Sequence, residues 1–172
     1  LGASAELAAR PGGTTAWTDA GSGTLAGTAA GYVPLGDTFG LRGRLVYAGM
    51  MFGRSPLLLQ PAVGGLESVY GYSSQELRAN NTAVLGGDLR FRLFSLPIGI
   101  GDAVYAQSGA NVAALWPGVG LGKLEQREYY PGYHAGLVAD TVLGAFHLHV
   151  GVSQDGAVRA YVGLGNGAAA RR

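Results

Sequence analysis

Residues 64–93, GGLESVYGYSSQELRANNTAVLGGDLRFRL, end in a strict alternation in which Asp88, Arg90 and Arg92 interleave with Leu89, Phe91 and Leu93. Successive side chains of a strand point to opposite faces, so a strand here carries charge on one side and apolar surface on the other. Its two faces meet different media. The same period of two recurs on both sides of this stretch. Phe39, Leu41, Leu45 and Tyr47 share one parity, and Arg42 and Arg44 the other. His147 and His149 oppose Phe146, Leu148, Val150 and Val152, and His134, Gly136, Val138 and Asp140 fall on one face. Val158, Ala160, Val162 and Leu164 oppose Arg159 and Tyr161. A one-residue slip would exchange the faces of any of these strands, so the pattern fixes which residues point inward.

Composition narrows the medium on the apolar side. Hydrophobic residues make up 48% of the 172 residues and charged ones only 13%, about half the usual share in a soluble domain. No run approaches the ~18 apolar residues that a spanning helix requires, because SPLLLQPAVGGL and VAALWPGVGLG are cut by Pro, Gly or Gln. A helical membrane protein is therefore excluded. A closed β-barrel is the other way to satisfy every backbone group in lipid, and it reads as alternating segments of about ten residues between turns. The 31 glycines fit such a chain. With no cysteine there is neither a disulfide framework nor thiol chemistry, and a net charge of +1 from scattered Lys and Arg is no nucleic-acid footprint. The start at Leu1 shows no basic and apolar signal-peptide pattern.

Taken in order, ASAELAAR (3–10) fits a short helix or a strand, the strand being favoured, and Pro11-Gly12-Gly13 reads as a turn. TTAWTDAG and GTLAGTAAGYVPLG read as a strand pair joined near residues 19–23, with Trp17 and Tyr32 as interfacial aromatics. Two prolines mark 52–63 as a loop or an interrupted strand. A strand runs from Ala83 to Phe94 and stops at Pro97, and the next, DAVYAQSGANVAALW, sets Tyr105 and Gln107 opposite Val104 and Ala106. Lys123 to Tyr133 reads as a loop with Tyr129, Tyr130 and Tyr133 on its rim. Asp155-Gly156 signals a hairpin with a type I′ turn, and 166–172 a disordered tail behind a barrel domain of 1–165.

No catalytic centre emerges. Asp155-Gly156-Ala157 resembles the dyad element of patatin hydrolases, but GSGT, GRSP and GYSS all lack the G-x-S-x-G spacing of the nucleophile such enzymes need. The glycines at 21–23 and 118–122 are not followed by the residues of a phosphate loop. His147 and His149 lack a third ligand at a supporting spacing, so no metal and no cofactor are expected.

Three motifs in order carry a family resemblance. Val69-Tyr70-Gly71-Tyr72, continuing through Glu76, Leu77, Arg78 and Asn80, resembles the "GY..(D/E)LR.N" loop in the C-terminal barrel of bacterial patatin-like phospholipases, which belong to the BamA-like outer-membrane superfamily. Asp140 to Phe146 is similar to that family's approach to its penultimate strand, and Asp155 to Gly165 to its final one. The resemblance covers 64–165 and implies that the loop folds into the lumen, where an Arg before the Gly-Tyr pairs with an acidic residue two strands on. Here those positions are Tyr70 and Gln107, so a neutral contact is expected in place of the ion pair. The chain also ends on Arg171-Arg172 where many such barrels end on an aromatic.

The expectation is therefore an all-β, antiparallel transmembrane barrel element of about eight strands, at roughly 20 residues per strand and connection. It is either a small closed barrel or half of the sixteen-stranded barrel that the family builds. The lumenal loop would hold Tyr70, Gly71, Tyr72, Glu76, Arg78 and Asn80, with Gln107 as its partner. Arg42, Arg44, Asp88, Arg90, Arg92, Asp140, His147, His149 and Arg159 would face the lumen. The resemblance implies a bacterial outer-membrane anchor or translocation domain of the autotransporter kind, not an enzyme. Its partners would be the lipid bilayer, the outer-membrane assembly machinery, and a second copy or a missing N-terminal half to close the barrel. Two alternatives stand beside it, a small structural barrel or passive pore, and a soluble β-sandwich binding module.

Overall fold

A computed structural model describes residues 2–11, 23–53, 60–66 and 68–165. They form one antiparallel sheet of eight strands with no α-helix among them. In chain order the strands are β1 (Gly2–Pro11), β2 (Gly23–Leu35), β3 (Phe39–Phe52), β4 (Ala62–Val63), β5 (Leu77–Arg78), β6 (Asn81–Ser95), β7 (Gly101–Trp116), β8 (Glu128–Thr141), β9 (Gly144–Ser153) and β10 (Val158–Gly165). The sheet follows the chain, β1-β2-β3-β6-β7-β8-β9-β10, each strand pairing with its sequence neighbours, while β4 and β5 form a separate two-stranded pair. The sheet is not closed, since β1 and β10 are its two edges.

One face is covered and the other is not. The connection between β3 and β6, with its β4–β5 pair, lies on what is hereafter the inner face, where Val63, Val69 and Tyr72 join Val84, Ala113 and Leu115 in the only apolar core cluster among the described residues. The outer face is inverted relative to a water-soluble sheet. In β9, Phe146, Leu148, Val150 and Val152 are exposed while His147 and His149 are buried. In β6, Leu85, Leu89, Phe91 and Leu93 are exposed while Asp88, Arg90 and Arg92 turn toward the covered side. The alternation read from the sequence thus holds in every strand on which it was based.

The two ends of the sheet differ. At one end the strands are joined by turns of a few residues, 36–38, 96–100 and 142–143; at the other by the longer connections 12–22, 53–80 and 117–127 and by the tight turn 154–157. Both Gly2 and Gly165 lie at the short-turn end, because an even number of antiparallel strands returns the chain to its starting side.

Three sequence readings need correction. β2 pairs with Gly2–Pro11, from Gly2↔Tyr32 to Pro11↔Gly23, whereas the strand expected as its partner at TTAWTDAG lies outside the described residues. Trp17, the turn at 12–13 and the tail 166–172 lie outside the described residues. Glu128–Tyr133 belongs to β8 and not to a loop, because Tyr129 and Tyr130 pair with Ala114 and Ala113 before Pro131, and Gly132 and Tyr133 pair with Asn111 and Ala110 after it. Lys123 and its neighbours do connect, through a 3-10 turn at Leu124–Gln126. Finally, the β9–β10 turn is not type I′. Asp155 does not take positive φ, Gly156 does at 80°, and Gly156 N–H donates to Ser153 O at 3.0 Å. Ser153 N–H also donates to Ala157 O at 3.1 Å, so the tip is a three-residue loop closing on a glycine bulge.

That geometry makes Asp155 replaceable. The Ser153 hydroxyl donates to its carboxylate and holds it below the ordinary carboxylate range. Asp155→Asn keeps an acceptor and suits the same turn position, so the hairpin should form unchanged, as amide chemical shifts at 153–157 would show. A depressed acid stabilises above its unfolded pKa and loses that effect as pH falls through the folded one, so acid should loosen the wild-type tip and leave the Asn variant unaffected. Equal loosening in both would refute the role given to this carboxylate.

Candidate functional site: a loop seated on the inner face

Residues 69–76 supply the densest polar network of the described chain. Gly71 sits with φ at 87°, and its backbone lies so close to β9 that an added Cβ would stand 2.2 Å from Ser153 N. Only glycine fits this combination of left-handed backbone and close approach. The wall opposite is cut back in the same way: a Cβ on Gly132 would meet Tyr70 O at 2.0 Å, and one on Gly151 would meet Gly71 N at 2.7 Å.

β10 and β7 hold the seated loop through its backbone. Gly71 N–H donates to the Tyr161 hydroxyl at 2.7 Å, and that hydroxyl donates to Tyr72 O at 2.8 Å. Arg159 donates to Gly71 O and pairs with Glu76 at 3.3 Å. Glu76 also accepts from Ser73 N–H at 2.5 Å, closing its own turn. Tyr70 N–H donates to Asn111 Oδ1 at 3.2 Å in a buried position, and Arg44 reaches Ser68 O at 3.4 Å.

The two loop aromatics divide the labour. Tyr72 joins the apolar cluster and meets Tyr130 edge-on at 6.0 Å. The ring of Tyr70 stacks on His134 at 3.8 Å, with His149 and Tyr161 each 5.4 Å away. Behind this stack His147 and His149 lie 5.7 Å apart, and His134 Nε2 stands 3.2 Å from Asp88 Oδ1. Gln107 enters one step removed: it accepts from Arg90 Nε at 3.0 Å, and its Nε2 lies 3.5 Å from His134 Nε2, the ring that Tyr70 covers. The neutral layer expected between Tyr70 and Gln107 therefore has a histidine within it.

The remaining residues singled out from the sequence are spread more widely. Arg42, Asp88 and Arg90 share the inner face with Arg44, and Arg92 and Asp140 lie nearer the short-turn end. Arg78 bonds Gln75 in an exposed position. Asn80 accepts from Gln60 at 3.0 Å and donates to Pro117 O at 2.5 Å, tying the loop's far end to the β7–β8 connection. Asn111, Gly132 and Gly151 were not singled out, because they become partners of the loop only once the register of β7, β8 and β9 is fixed.

Tyr161 is the residue whose loss isolates the hydrogen bonds from the packing. Tyr161→Phe keeps the ring against Tyr70 but leaves Gly71 N–H without its acceptor, a cost of about 1–3 kcal/mol for a buried donor. Hydrogen exchange at Gly71 should rise accordingly. The half-exposed Arg159–Glu76 pair should couple by about 0–1 kcal/mol in a double-mutant cycle, since solvent screens it. A Tyr161→Phe variant with unchanged protection at Gly71 would refute this ranking.

Fold and site together define a single antiparallel sheet with an apolar bare face and a polar face occupied by its own loop. Compared with protein-family models, curated proteins and solved structures, the chain matches none.

Proposed function

We propose that this chain is the membrane-spanning wall of an outer-membrane β-barrel that acts as an anchor or translocation domain, with no catalytic centre of its own. The inverted burial carries the reading. Val150 is 48% exposed and Val162 67%, while His147 and His149 on the opposite face are 1% and 0% exposed. Apolar-out and polar-in is the arrangement that hydrocarbon outside and a wet or plugged interior select. Exposed Tyr129 and Tyr133 at the long-loop end of β8 suit the interface where aromatic belts form.

The likeness of the Val69–Asn80 loop to that of patatin-like phospholipase barrels supports the same reading, as does its seat on the inner face. Closure then requires the β1 and β10 edges to pair with each other or with strands of another polypeptide, since unpaired backbone groups are not tolerated in lipid. An open pore is disfavoured by the loop occupying the inner face, and a soluble sandwich by the uncovered apolar one. Expressed with an export signal, the protein should fractionate with outer membranes, need detergent for extraction, and migrate differently on gels before and after heating. Recovery of a folded, monodisperse protein without detergent would overturn the proposal.

A further inference from the structure

Two of the three turns at the short-turn end carry apolar side chains where a water-facing rim would carry polar ones. Ile98 is 104% exposed, Leu143 81% and Val142 70%, and the two hairpin tips that bear them, 96–100 and 142–143, contain no charged residue. The tips are also joined, Val142 N–H donating to Ile100 O at 3.0 Å. Three more of their donors are satisfied from within. Ile100 N–H donates to Pro97 O at 3.0 Å, Leu96 N–H to Asp102 O at 2.9 Å, and Leu143 N–H to Thr141 Oγ1 at 3.3 Å. The Thr141 hydroxyl itself donates to Gly144 O at 2.8 Å. Each donor closed in this way is one that hydrocarbon would otherwise penalise by several kcal/mol.

Length points the same way. The exposed apolar residues of β9, Phe146 to Val152, cover only about 15 Å of membrane normal at roughly 3.3 Å per residue and a tilt of about 40°. The apolar band of a barrel is about 25 Å tall. From the exposed Tyr133 down to Leu143 the same arithmetic gives about 25 Å, so along β8 and β9 the band reaches full height when the 142–143 tip belongs to it.

We propose that the joined tips at 96–100 and 142–143 are embedded among the acyl chains of one leaflet and form the lower rim of the lipid-facing wall. The inference rests on the membrane reading above, and it places these two tips inside the bilayer where that reading alone would leave them in water. The absence of cysteine from the sequence makes a direct test simple. Ile98→Cys and Leu143→Cys, with Leu89→Cys and Val150→Cys as wall reporters and Asp155→Cys as a reporter of the opposite end of the sheet, are labelled with an environment-sensitive fluorophore in phosphatidylcholine vesicles. Because Ile98 and Leu143 pack against nothing, their labels should not disturb folding.

The tip labels should be blue-shifted and quenched by nitroxide-bearing lipid, like the wall labels, while the Asp155 label responds to aqueous iodide. Tip labels quenched by iodide beside lipid-quenched wall labels would overturn this inference and leave the membrane wall standing. Tip labels shielded from both quenchers would overturn it in favour of a protein partner on the rim. Iodide quenching of the wall labels as well would overturn both readings.

Discussion

Phe91→Arg is expected to cost about 2–4 kcal/mol of folding free energy in a bilayer, because it sets a guanidinium on the outer face of β6 near mid-membrane depth. The neighbouring Arg90→Gln provides the contrast. Arg90 turns inward and donates to Gln107, so its replacement forfeits about 1 kcal/mol of hydrogen bonding and moves no charge into lipid. The 5.0 Å contact between Phe91 and Phe39 across the β3–β6 pair adds an aromatic loss to the first variant that the second does not share. Reversible urea unfolding in lipid vesicles measures both. Should Phe91→Arg prove no worse than Arg90→Gln, the outer face of β6 does not meet hydrocarbon.

Gly71→Ala should unseat the loop. The left-handed backbone alone costs about 1–2 kcal/mol with a Cβ present. The new methyl also meets Ser153 N and Val152 C, which β8 and β10 hold in place from either side. Relief can come only from the loop backing away, which breaks both bonds to Tyr161 and the one from Arg159 to Gly71 O. Limited proteolysis should then cut within 64–80 in the variant and spare the wild type. An uncleaved variant with native protection at Tyr70 would show that the fit at Gly71 is looser than described.

The periodicity of Leu89, Phe91, Leu148 and Val150 made the faces legible because a strand with different media on its two sides has no freedom in its pattern. The seat of the loop was less legible. Its partners Asn111, Tyr161 and Arg159 come from strands far along the chain, and no local signal fixes which rung of β7 or β10 stands opposite residue 71. Gly132 and Gly151 read as ordinary strand glycines until the loop backbone is laid against them. The two misread boundaries have local causes. Pro131-Gly132 imitates a turn although flanking tyrosines continue the ladder, and an Asp-Gly pair fits a three-residue bulged loop as well as a two-residue one.

The bond between Gly71 and Tyr161 joins residues 90 positions apart, and the one from Arg159 to Gly71 spans 88. Contacts of such sequence separation form late, since the entropy of closing the intervening chain must be offset by structure already in place. Here that structure is the complete run of β6 to β10, because Asn111, Gly132 and Gly151 must all be in register before the loop has a place to lie. Seating is thus expected to be the last step of assembly, reporting that the final hairpin has joined the sheet. A Gly71→Ala chain should complete its sheet at the wild-type rate and lack only the slowest phase of protection, whereas slower sheet formation would place the loop among the early events.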